Sequence, residues 1–125
     1  MGLLSLAPVV SFAAFIPPTT LGWVWADPNR KGAAFPLVKG CNNLPDGIAG
    51  KVSSLELIFD RDNDFVSVCS IYRTKDCDPS SKMLNFYGSS VMNLDGSDFD
   101  LDKSYDDLTV SVSCFATKFS AGWPF

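Results

Sequence analysis

Residues 25–32 read WADPNRKG. An aromatic ends an apolar run, a polar turn follows, and a glycine stands seven places after the aromatic. Pro28 and Asn29 are turn residues, the first by its fixed φ and the second by its tolerance of left-handed backbone. Gly32 supplies the same freedom at no steric cost. The stretch therefore predicts a strand running into a hairpin. A related order of residues comes again later. WVWADPNRKGAAFPL, 23–37, lies over SIYRTKDCDPSSKML, 70–84, so that Trp25 meets Tyr72, Arg30 meets Cys77, Gly32 meets Pro79 and Leu37 meets Leu84. NLPDGIAGKVSSLEL, 43–57, lies over the segment 93–114, which carries a longer insertion. Ser54 then meets Ser111, Leu55 meets Val112 and Leu57 meets Cys114. The order is the same in both halves, and the acidic linker DRDND, 60–64, separates them.

Around these segments the pattern is that of strands. Leu55, Leu57 and Phe59 fall on one face of an alternating run, and Leu108, Val110, Val112 and Cys114 on one face of another. A period of two marks half-buried strands. Turn signals such as DPNRKG, LPDG, CDPSS and LDGS recur at short intervals, and helical periodicity is thin. The expected class is all-β, an antiparallel sandwich or barrel. A chain of 125 residues, 46% hydrophobic, is enough for one domain with a core.

Charge narrows the partners. The formal charge is −4, with no basic stripe. That disfavours nucleic acid, whose affinity comes largely from phosphate contacts, and attraction to anionic membranes. Residues 1–26 carry no charge, and LLSLAPVVSFAAFI, 3–16, is too short to span a bilayer. It reads as a secretory signal peptide within 1–20, with Ser11 and Ala13 as a small-residue pair and the mature chain starting between Ala14 and Leu21. A buried N-terminal strand is the alternative. Cys41, Cys69, Cys77 and Cys114 make an even count, consistent with two disulfides in an oxidising compartment. Four cysteines allow three pairings. With no histidine and no CxxC pair, zinc has no usual ligand spacing.

The pattern of an aromatic, a middle position five places on and a glycine seven places on resembles the Greek-key signature of the βγ-crystallin superfamily. Trp25 and Gly32 match the first motif, with Arg30 in place of the middle aromatic. Tyr72 matches the second, with Cys77 and Pro79 at the other two positions. Ser54 and Ser111 match the late serine that ties the hairpin down. The resemblance covers 21–117 and implies a disulfide-stapled sandwich of two Greek keys, about 21–60 and 65–117, with a tail over 118–125. In such a key the first and fourth strands are neighbours, which implies Cys69 with Cys114 and leaves Cys41 with Cys77. The look is that of small secreted fungal proteins with a crystallin-like domain. Single-domain killer toxins and metalloproteinase inhibitors are the implied relatives.

The same resemblance raises calcium. The family motif is two Asn/Asp, two free positions, then Ser/Thr and Ser. AGKVSS, 49–54, keeps Ser53 and Ser54 but has Ala49 and Gly50 for the acidic pair. DDLTVS, 106–111, keeps Asp106 and Asp107 but has Val110 for the hydroxyl. Each copy lacks a different part, so the expectation is a structural remnant and no cofactor. An EF-hand is excluded: from Asp60, position six is Phe65 and position twelve Ile71, and from Asp98 they are Lys103 and Thr109.

Catalysis is not expected. Without histidine there is no Ser-His-Asp or Cys-His arrangement, and carboxylate pairs would need a cleft that so small a domain hardly offers. The tail FSAGWPF, 119–125, reads as an extra strand or a flap covering a sheet edge, with an aromatic contact patch for a partner or a carbohydrate as the alternative. The expected protein is a secreted, monomeric, non-enzymatic binder of an extracellular protein or cell-wall component, acting as an effector, toxin or antimicrobial. The alternatives are a protease inhibitor using the loop 95–107 and a calcium-stabilised module.

Overall fold

The second half is built on two long paired strands. β6 (Phe65–Tyr72) and β9 (Ser111–Thr117) pair antiparallel, with Cys69 opposite Cys114 and Ile71 opposite Val112. Those four side chains lie in the core, and the residues between them face away from it. The structure, a computed structural model, describes residues 19–96, 101 and 103–118. The expected leader, up to residue 18, and the tail 119–125 lie outside the described residues, as do 97–100 and 102 of the loop 95–107.

The other strands are β1 (Gly22–Asp27), β2 (Lys31–Leu37), β3 (Gly40–Asn43), β4 (Ser54–Leu57), β5 (Phe59–Asp60), β7 (Lys82–Tyr87) and β8 (Ser90–Val91). One sheet runs β2-β1-β4-β8. The other runs β3-β9-β6-β5, with β7 also on β6. The two halves therefore exchange strands: β3 of the first key pairs with β9, and β8 of the second pairs with β4. Leu21, Val24, Leu37, Leu55 and Leu57 meet Cys69, Ile71, Phe86, Val91, Leu94 and Val112 between the sheets.

One expected strand face is broken. Leu55 and Leu57 are buried, whereas Phe59 is 43% exposed. The chain leaves the first sheet at Ile58, whose N–H donates to Leu21 O while its carbonyl accepts from Ser67 N. Phe59 then pairs with Val66 in the second sheet, on the side facing away from the core. The other expected face holds at Val112 and Cys114. Leu108 and Val110 precede β9 and are only half-buried.

Two disulfides join Cys41 to Cys77 and Cys69 to Cys114, the pairs that the two-key arrangement implies. The second links facing residues of adjacent strands; the first ties β3 to the turn after β6. They close sequence separations of 36 and 45 residues. On the chain-entropy model each contributes about 4 kcal/mol.

Candidate functional site

The two hairpins are held by matching bonds. Ser54 Oγ donates to Asp27 O at 2.7 Å and accepts from Arg30 N at 3.0 Å. Ser111 Oγ donates to Thr74 O at 2.5 Å and accepts from Cys77 N at 3.0 Å. Ser53 N donates to Trp25 O, and Val110 N to Tyr72 O. The aligned residues of the two halves thus hold equivalent places. Asn29 and Arg30 have φ of 61° and 58°, and their counterparts Asp76 and Cys77 have 63° and 51°.

At the middle position each hairpin substitutes another link for an aromatic. Arg30 pairs with Glu56 at 3.0 Å. Cys77 is bonded to Cys41, and beside it Asn43 exchanges two hydrogen bonds with Asp76. Gly32 has φ +78°, and an added Cβ would stand 2.4 Å from Asp27 Oδ2. Pro79 cannot copy that conformation. The second hairpin instead turns through a short 3-10 segment, Pro79–Ser81, capped by Asp78.

The loops with the degraded acidic motifs are joined across the two halves. Gly50 N donates to Thr109 O, and Asp107 N to Val52 O. This crossing changes how ligands are counted. The surviving acidic pair of the second copy faces the surviving hydroxyl of the first: Ser53 Oγ lies 3.5 Å from Asp107 Oδ1. Asp106 Oδ1 is buried without a hydrogen-bond partner. At the mirror position Ala49, Gly50 and Val110 offer no side-chain oxygen. One loop pair thus brings Asp107 to Ser53, with Asp106 beside it in sequence, while the other offers no such side chains; calcium takes six to eight oxygen ligands in all. Among the described residues there is no cluster of three His, Cys, Asp or Glu. Ser54 and Ser111 are committed to the hairpins and do not join this group. The acidic run 60–64 forms a turn, in which Asn63 donates to Asp60 from its side chain and backbone. Those bonds hold the exposed Asp60 carboxyl below its ordinary pKa.

A second feature lies on the outward side of the second sheet. Paired residues share a face, so Phe59, Val66 and Thr117 form one row and Tyr87, Val68 and Phe115 the next. Asn85, Ser70 and Ser113 form a third row, in which Ser70 and Asn85 are hydrogen-bonded. None of these nine residues is charged, in a chain with 24 charged side chains. Phe59, Tyr87 and Phe115 are 43%, 41% and 47% exposed. The second hairpin folds over the far end of this face, where Ser111 and Tyr72 are buried. Arg61 lies over the Phe59 ring at the near end. Sequence reading passed over this face. The signal was present at Phe115, which falls on the outer parity of an otherwise well-patterned strand.

No family model matches the sequence, and no curated protein matches it. Solved structures do. A βγ-crystallin domain from Flavobacterium johnsoniae is similar at 16% identity with a TM-score of 0.53, over 83% of this chain and 99% of that one. The N-terminal domain of Protein S is similar at 12% identity with a TM-score of 0.54, over 78% and 98%. A double mutant of a βγ-crystallin domain from Clostridium beijerinckii is similar at 16% identity with a TM-score of 0.52, over 78% and 98%. At these identities the likeness is one of fold.

Proposed function

We propose that this chain, whose fold is that of the βγ-crystallin domains, is a non-enzymatic extracellular binding protein of the effector, toxin or antimicrobial kind. Its binding surface is the outward face of the second sheet. The observation that carries this reading is the uncharged aromatic platform of Phe59, Tyr87 and Phe115 beside the polar row of Asn85, Ser70 and Ser113. Exposed apolar patches on small domains mark interaction surfaces. Rings next to hydroxyls and an amide suit an uncharged partner with both apolar and hydroxyl faces, which is the chemistry of a neutral cell-wall polysaccharide. Two disulfides are consistent with work in an oxidising compartment. No helix among the described residues is long and apolar enough to cross a membrane.

The test is to apply the oxidised protein to yeast, filamentous fungi, bacteria and plant tissue, with a reduced and alkylated sample as control. Growth arrest or wall binding by the oxidised form alone supports the reading. Inertness toward all four contradicts it, and binding to an extracellular protein in place of polysaccharide changes the partner.

A calcium-stabilised module is the second reading. The buried, unpartnered Asp106 Oδ1 and the approach of Asp107 to Ser53 favour it. Asp106, Asp107 and Ser53 would hold the ion, which when bound would join the two loops by charge. A melting curve with calcium and with chelator decides it: a raised midpoint that Asp107→Asn abolishes supports the module, and an unchanged midpoint rejects it.

A further inference from the structure

The two hairpins share a backbone but not a closure. Asn29 and Arg30 in the first, and Asp76 and Cys77 in the second, take the same left-handed conformation, and one serine hydroxyl ties each hairpin down. The first is then closed by the exposed Arg30–Glu56 pair, a reversible contact of little strength. The second is closed by the covalent bond from Cys77 to Cys41. The first hairpin shows that this geometry forms without a crosslink, so the crosslink at the second is not what shapes it.

What that bond fastens lies outside the core. No residue of the two short turns Lys75–Cys77 and Pro79–Ser81 is buried. Tyr72, at the foot of the hairpin, is 9% exposed and continues the outward side of β6 beyond Ser70. With the bond cut, the hairpin keeps the Ser111 tie and the Asn43–Asp76 pair. Asn43, Thr74 and Asp76 are all exposed, so water competes for those bonds. Asp76 and Cys77 also lose the restraint that holds two non-glycine residues at positive φ. The other disulfide is placed differently. Cys69 and Cys114 face each other on adjacent strands and are each 2% exposed, whereas Cys41 is exposed and Cys77 half-buried. Thiol–disulfide exchange needs access to a sulfur, which favours the outer pair.

We propose that Cys41–Cys77 is a thiol-operated clasp: a low-molecular-weight thiol opens it and frees the second hairpin, while Cys69–Cys114 keeps the two-sheet fold. The thiolate attacks Cys41 Sγ and forms a mixed disulfide there. The bond to Cys77 Sγ breaks, and its electron pair leaves on that sulfur, which takes a proton. A second thiolate attacks the thiol-derived sulfur of the mixed disulfide. Cys41 leaves, takes a proton, and the two thiols depart as their own disulfide, so two thiols are oxidised as one protein disulfide is reduced. Opening uncovers Tyr72 and lengthens the aromatic face by one row in thiol-rich surroundings. That gain rests on the binding role proposed above, but the clasp does not.

Titration of the folded, oxidised chain with glutathione tests this. Alkylation and mass spectrometry find Cys41 and Cys77 capped while Cys69–Cys114 persists. That species still melts cooperatively. Its Asp76 and Cys77 amides exchange about tenfold faster or more, as a locally opened segment does, and the amides of β6 and β9 keep their protection. Radical labelling of Tyr72 rises severalfold. Cys41→Ser with Cys77→Ser reproduces these changes without thiol; should that variant not fold, the titrated chain decides, because it is folded before the bond is cut. Reduction of both disulfides together, loss of the cooperative melt when Cys41–Cys77 is cut, or unchanged exchange at Asp76 and Cys77 overturns the proposal. Faster exchange with unchanged wall binding leaves the clasp and removes the gain at the face. Faster exchange with no wall binding by either form leaves the clasp and removes the binding role.

Discussion

Ser54→Ala removes the tie of the first hairpin. Ser54 is 0% exposed, and its hydroxyl makes two bonds, one given to Asp27 O and one received from Arg30 N. Each such bond contributes about 1 kcal/mol net, and the groups left behind cost more where water cannot reach them. The expected loss is about 2–3 kcal/mol, against a total of about 5–15 kcal/mol for a domain of this kind. That corresponds to a fall in Tm of roughly 10–20 °C. Urea unfolding followed by tryptophan fluorescence measures it, because Trp23 and Trp25 lie in β1 next to the hairpin. Ser111→Ala removes two equivalent bonds and costs a similar amount globally. Its hairpin stays shut locally, because the Cys41–Cys77 disulfide and the Asn43–Asp76 pair still hold it. Hydrogen exchange separates the cases: the Arg30 amide loses protection in Ser54→Ala, while the Asp76 amide keeps most of its own in Ser111→Ala. A loss below about 0.5 kcal/mol for Ser54→Ala, the level of an ordinary surface change, would refute the reasoning. So would equal opening of both hairpins.

Gly32→Ala costs about 1–3 kcal/mol, since φ is +78° and the new Cβ meets Asp27; Gly40→Ala, at φ +98° with open space around it, costs less, and paired urea melts compare them. Graded reduction opens Cys41–Cys77 before Cys69–Cys114, because Cys41 is exposed while Cys69 and Cys114 are each 2% exposed; timed alkylation and mass spectrometry read the order. Asp60 has its pKa lowered by the Asn63 side-chain bond, then the Asn63 backbone bond. Its support of the 60–64 turn is therefore full above the unfolded carboxylate value and is lost as pH falls through the lowered one. The Asn63 amide resonance should titrate with a midpoint below that of a free aspartate, and Asp60→Asn should remove the titration.

The fold was legible because its signals are local. Trp25 is matched by Tyr72 and Ser54 by Ser111 in the same order in both halves, and Val112 and Cys114 alternate cleanly between their neighbours. The exchange of β3 and β8 was not legible, because pairing between distant strands leaves no mark in either strand alone. Counting oxygens within each copy does not reveal that contact for the same reason: Ser53 and Asp107 meet only because the loops cross. Phe59 misled because it keeps the parity of Leu55 and Leu57 while the backbone changes sheets at Ile58. The aromatic platform draws on three strands, β5, β7 and β9, with β6 between them. Its members are too far apart in sequence to be read as a group.

The outward face of the second sheet is tested most directly by depletion of the protein onto insoluble cell-wall preparations. The full oxidised chain and its Phe115→Ser variant would be compared at low and high salt. Phe115 is 47% exposed and outside the core, so its replacement leaves the fold intact. The account predicts binding that salt does not weaken, because the face is uncharged, and that Phe115→Ser reduces by about tenfold or more, the scale of a central aromatic contact. Binding that survives Phe115→Ser unchanged, or that disappears with salt, would place the interaction elsewhere on the molecule and contradict the account.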